Sequence, residues 1–182
     1  MITQSLDGNW TLLHFPEGKY GNITPEQLNA VVEPACPAQV PGNVELDLVQ
    51  AGELPEPFYA ENMRLLRPLE THEWWYSRLF TAPDAPAGTR WALVFEGLDT
   101  LATIWVNGVK VGESDNMLVE HRFEVSAALR PGAENQLVVR LGSVVNKART
   151  YTYDAASGGA EHRDEALFTR KAPHVWGWDI LP

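Results

Sequence analysis

The chain has 182 residues, 45% of them hydrophobic and 21% charged, which suits one domain with a real core and leaves too little for two. Its formal net charge of −10, with no basic cluster to offset it, argues against nucleic acid or an anionic membrane surface as a partner. Cys36 is the single cysteine, so an internal disulfide and a cysteine metal site are excluded. His14, His72, His121, His162 and His174 fall at no metal-ligand spacing, and no metal or cofactor is expected. No apolar run approaches the roughly 20 residues of a membrane span. Met1 and Ile2 are followed by polar residues and by no basic start with an apolar stretch, so no export signal is read in the chain as given. A periplasmic or secreted chain whose leader had been removed would look the same.

In chain order, Ser5 to Leu12 reads as a turn leading into a short strand. Thr24-Pro25-Glu26-Gln27 has helix-start chemistry, a capping threonine with proline at the first helical position, and predicts a short helix ending before Pro34. Val40-Pro41-Gly42-Asn43 is a tight turn, after which Asn43 is placed to cap a second short helix through Leu48 with Gly52 near its end. From Glu73 the period changes. Trp74–Thr81, Arg90–Phe95, Leu101–Val106, Val109–Val111, Glu120–Val125 and Gln136–Leu141 read as strands. Asn107-Gly108 between two of them is a hairpin signal, because both central positions of that turn need positive φ. These elements predict an all-β domain, an antiparallel sandwich or jelly roll with one or two short helices near the amino terminus. Ser143–Arg170 is polar and reads as a long loop, with a functional loop and a solvated excursion both open.

Candidate chemistry is concentrated at the end of the chain. Arg170, Trp176, Trp178 and Asp179 bring a cation, two indoles and an acid within ten positions of one another. Indole faces stack on sugar C–H groups, and charged side chains fix hydroxyls by charge-assisted hydrogen bonds. A loop that merely packs two tryptophans on the sandwich edge would use the same residues. The Glu161, Asp164 and Glu165 group reads as a solvated face. No pair of catalytic carboxylates across a pocket is evident from spacing.

Several stretches together resemble family-two glycoside hydrolases. They are Leu6-Asp7-Gly8-Asn9-Trp10, Val40-Pro41-Gly42-Asn43, Trp74 to Phe80, Phe95 to Thr100, Val106-Asn107-Gly108, Asp115-Asn116-Met117 and Pro131 to Asn135. The resemblance implies the amino-terminal, galactose-binding-domain-like sandwich of such an enzyme, and is strongest toward the β-mannosidase branch. It implies that the terminal loop reaches the active site of a following barrel, where Asp179, Trp178 and Arg170, with Trp176 beside them, help hold a terminal β-linked sugar. Ile180 and Leu181 stand where that branch has tryptophan and glycine, which leaves a β-galactosidase or another β-glycosidase open.

The resemblance implies that the catalytic glutamates of the retaining mechanism belong to the barrel, so no catalytic residue is expected in residues 1–182. The resemblance also implies a further strand, an immunoglobulin-like domain and the barrel after Pro182. It predicts a truncated single domain with an open sheet edge near the amino-terminal strand, where a second copy could pair. A stand-alone carbohydrate-binding module and a purely structural sandwich are the alternatives.

Overall fold

The computed structural model describes residues 2–152 and 169–172. Among the described residues eight strands form two sheets. A six-stranded antiparallel sheet runs in the order β2 (Ala35–Val40), β1 (Gly8–Pro16), β3 (His72–Thr81), β8 (Glu134–Gly142), β5 (Leu101–Val106) and β6 (Val109–Ser114). A small second sheet pairs β4 (Ala92–Phe95) with β7 (His121–Glu124). β1 with β2 and β5 with β6 are sequential neighbours in the large sheet, β8 returns to lie between β3 and β5, and β4 and β7 pair in the second sheet, so the predicted antiparallel all-β sandwich is observed.

Strand alternation puts one core on each face of the large sheet. Leu12, Tyr76, Val139 and Ile104 stand opposite one another in four neighbouring strands. They pack with Trp10, Ala102, Val106 and Leu137 against Leu93, Phe95 and Phe123 of the small sheet and Leu48 of helix α1 (Val44–Gln50). The next row turns the other way. Phe15, Trp75 and Val138 form the second core with Trp105, under a cover of Tyr20, Ile23, Leu28 and Val31 from the β1–β2 connection. Side chains buried this completely contribute roughly 1.5–3 kcal/mol each. The large sheet is thus the middle layer, covered on both sides.

The local signals act as their chemistry requires. Thr24 opens a 3-10 segment, Pro25–Ala30, in a reciprocal box with Gln27, whose side chain accepts from the Thr24 amide at 2.8 Å. Asn43 caps α1 by accepting from the Leu46 amide at 2.9 Å. Asn107 and Gly108 have φ of 51° and 79°, the pair of positive values the hairpin demands.

Two expectations change, and one stretch to which the sequence assigned no element is helical. The chain from Asn62 to Thr71 winds as 3-10 turns around Pro68, and Val144–Ala148 forms a short helix, α2, inside what reads as loop. The edge beside the amino-terminal strand is not open: β2 from the same chain pairs along β1 from Gly8↔Val40 to Leu13↔Ala35, while β3 occupies its other side. Pro37 disguises β2 in the sequence. It is accepted because β2 is, among the described residues, an edge strand with one neighbour. Pairing of a second copy against β1 therefore has no vacant place.

Candidate functional site

Two connections meet at one end of the sandwich. The first, between β4 and β5, is tethered by Leu98 in the core and by Thr100, which is buried. The Thr100 hydroxyl donates to Asp99 Oδ1 at 2.5 Å and so aims the carboxylate. The second follows β6. Ser114 Oγ accepts from the Asn116 amide at 3.3 Å and sits 2.8 Å from His121 Nε2. The Asn116 carbonyl lies 2.6 Å from the same nitrogen and can only accept, so Nε2 carries the proton. Asn116 Oδ1 accepts from the Leu118 amide at 2.9 Å and closes the turn. A side chain added at Gly97 would lie 3.7 Å from the Met117 carbonyl oxygen, so the two connections are neighbours.

The root of the terminal loop rests on both. Arg170 forms a parallel bridge with Asn116, and its carbonyl accepts from the Met117 amide at 2.9 Å. Lys171 Nζ pairs with Asp99 Oδ2. Ala172 is buried and its amide donates to Met117 Sδ at 3.1 Å. Of the sequence candidates, Arg170 is placed here with its side chain exposed. Trp176, Trp178 and Asp179 lie outside the described residues, as do Glu161, Asp164 and Glu165. Asp99, Met117 and Lys171 were not singled out by sequence reasoning as a group. Asp99 and Met117 do lie in two of the landmark stretches, and Lys171 in the terminal loop; only their meeting was hidden.

The other end of the polar segment is built differently. Ser143 caps α2 by accepting from the Asn146 amide at 3.1 Å, and donates to the Glu70 carbonyl at 2.6 Å. Glu17 receives Arg140 Nη2 at 3.1 Å, the Ser143 amide at 3.2 Å and Asn146 Nδ2 at 3.0 Å. Arg140 Nε also donates to Glu73 Oε2 at 2.6 Å, while its guanidinium lies over the Trp75 ring, 5.9 Å from the centroid. Glu73 is 1% exposed, and among the described residues its Oε1 has no partner. Lack of a side chain at Gly142 admits Glu17, since a Cβ there would lie 2.9 Å from its Oε1. An open groove of about 810 Å³ runs past this cluster, bordered by Thr103, Glu113, Asp115 and Lys147. Among the described residues its lining contains no aromatic side chain.

Among the described residues no cluster of three or more His, Cys, Asp or Glu could hold a metal ion, and no helix is long and apolar enough to cross a membrane.

Known proteins share this architecture. The chain is 36% identical over 152 residues to a protein named β-mannosidase B from Thermothelomyces thermophilus, matching 80% of this chain and 17% of that protein. A namesake from Emericella nidulans is 35% identical over 146 residues, with coverage of 79% and 17%. The crystal structure of a β-D-mannosidase from Dictyoglomus thermophilum superposes with a TM-score of 0.74 at 32% identity, over 97% of this chain and 20% of that one. A β-glucuronidase from Ruminococcus gnavus, at 21% identity and a TM-score of 0.53 over 76% of this chain, shares the fold. The chain spans a fifth or less of the length of the mannosidases it matches. Residues 21–182 match the family described as glycosyl hydrolase 2 galactose-binding domain-like, and the chain belongs to that family.

Proposed function

We propose that this chain is the non-catalytic amino-terminal domain of a larger retaining β-glycosidase of the β-mannosidase kind. Its terminal loop helps form the pocket for the terminal sugar. The observation that carries this is the 36% identity across 80% of the chain to a protein named β-mannosidase B, of which that stretch is only 17%. The residue types of the loop suit the role. Trp176 and Trp178 offer indole faces to sugar C–H groups, and Asp179 and Arg170 offer charged partners to hydroxyls. In this arrangement a downstream barrel supplies both catalytic glutamates, and the sandwich contributes binding without bond cleavage.

The test uses the whole protein encoded with this chain, assayed on chromogenic β-mannosides, β-galactosides and β-glucuronides. Hydrolysis that prefers the β-mannoside is expected. Asp179→Ala should lower kcat/KM by about 10- to 100-fold, the effect of losing a charged hydrogen-bond partner. A preference for galactosides would overturn the sugar assignment. Unchanged kinetics in Asp179→Ala would overturn the pocket role of the loop, and a protein without a barrel would overturn the whole reading.

A further inference from the structure

We propose that Asp99 and Met117 are positioning residues: they latch the root of the terminal loop at Arg170–Ala172 to the sandwich and so set where Trp178 and Asp179 meet the sugar. The proposal rests on the pocket role given to the loop above. Three contacts of different chemistry converge on three consecutive residues. Met117 donates its amide to the Arg170 carbonyl, Asp99 pairs with Lys171, and the Met117 thioether accepts from the Ala172 amide. Each side of the latch is itself held. Buried Thr100 orients the Asp99 carboxylate, and the Ser114–His121–Asn116 set fixes the turn that presents Met117.

Reach makes the root matter. Asp179 lies seven residues beyond Ala172, so it can sit no farther than about 25 Å from that anchor even in fully extended chain. Displacement of about 1 Å at a binding residue is enough to weaken catalysis markedly. The landmark stretches Phe95–Thr100 and Asp115–Met117 gain a common purpose from this geometry, since they converge on a segment more than fifty residues later in the chain.

Two measurements test it. In limited trypsin digestion of the full chain, cleavage after Arg170 and Lys171 is followed against cleavage after Arg149 as an internal reference. Asp99→Asn should speed the first two by about two- to fivefold, the range of one partly exposed ion pair, and leave the reference unchanged. Reversing the pair, with Asp99→Lys and Lys171→Glu together, should return cleavage after Arg170 toward the starting rate. No selective rise in Asp99→Asn, or an equal rise after Arg149, would overturn the latch.

In the whole protein, Asp99→Asn should raise KM for a β-mannoside with kcat nearly kept, and Asp99→Glu should recover part of the loss. A merely structural role would give no such split. Wild-type kinetics in Asp99→Asn alongside an impaired Asp179→Ala would overturn the positioning role. If Asp179→Ala itself is silent, the pocket reading and the positioning role fall together, while the trypsin result still decides whether the latch exists.

Discussion

Residues 153–168 are flanked by α2, the departure end, and by Arg170–Ala172, the return end, and the two ends are held by opposite means. At the departure, Glu17, Glu73, Arg140, Ser143 and Asn146 form a connected set of charge-assisted hydrogen bonds, part of it fully buried. At the return, the contacts made among the described residues include an ion pair with a 40% exposed carboxylate, a backbone hydrogen bond and an amide-to-sulfur contact. Buried charge networks are costly to break singly, whereas exposed pairs contribute little to global stability. The departure therefore belongs to the fold, and the return is a local anchor that can be loosened without unfolding the domain. Strength has been placed where the chain must stay, and adjustability where the proposed sugar-holding loop begins.

The sharpest way to break this contrast is Arg140→Ala. It strands Glu73, 1% exposed, without either of its donors, and a buried carboxylate left unpaired costs about 3–5 kcal/mol. Because the Arg140 side chain is itself 28% exposed, the lower end, about 3 kcal/mol, is expected in urea unfolding. Pairing Arg140→Met with Glu73→Leu should recover most of that loss, since no charge is then stranded. A loss below about 1 kcal/mol in the single variant would remove the departure end's advantage.

Ser143→Ala comes next. It removes the cap on α2 and the donor to Glu70, at a cost of about 1–2 kcal/mol, and should raise amide exchange across Val144–Ala148 ahead of the rest.

Legibility in the sequence followed the range of the forces involved. Thr24, Asn43 and Asn107-Gly108 act on their own backbone within four residues, and each does what its chemistry announces. Strands with clean alternation, such as Leu101–Val106, were visible to the residue. β2 was hidden because Pro37 reads as a breaker, and only its edge position, a tertiary fact, makes proline acceptable there. α2 was hidden because five residues carry no period. The departure cluster joins residues up to 129 positions apart, and the latch joins residues up to 72 apart. Family landmarks marked Asp99 and Met117 as belonging to important stretches, but no local rule pairs Asp99 with Lys171.

Acid offers a gentler way to separate the two ends. His72 closes the 3-10 segment whose Glu70 and Thr71 carbonyls accept from Ser143 and Asn146. Its Nδ1 lies 2.9 Å from His14 Nδ1, and His14 Nε2 reaches Glu53 at 3.3 Å while its ring stacks on Trp74. Glu33 and Lys19 also bear on His72. Burial, and then the neighbouring His14, hold the His72 pKa below its ordinary value near 6.5. The unfolded chain therefore takes the proton first as pH falls through that value. Stability contributed by His72 is full above about pH 6.5 and is lost as pH drops toward the lower folded pKa. His72→Gln should flatten the slope of unfolding free energy against pH in that window. An unchanged slope would clear this pair of any part in acid sensitivity.

The smallest effect is expected at the return, and its smallness is the point. Asp99→Asn removes one ion pair between a 40% exposed carboxylate and a lysine, and keeps the size of the side chain at position 99. Global stability should fall by less than about 1 kcal/mol, because solvent already screens the pair and the backbone bridge between Asn116 and Arg170 does not depend on it. Thermal unfolding and native-state amide exchange together decide the matter. An unchanged midpoint with faster exchange at the Met117 amide, which donates to Arg170, would mark a local anchor. A fall approaching that of Arg140→Ala would instead make the return part of the cooperative fold. The contrast between the two ends, and the adjustability inferred from it, would then fail.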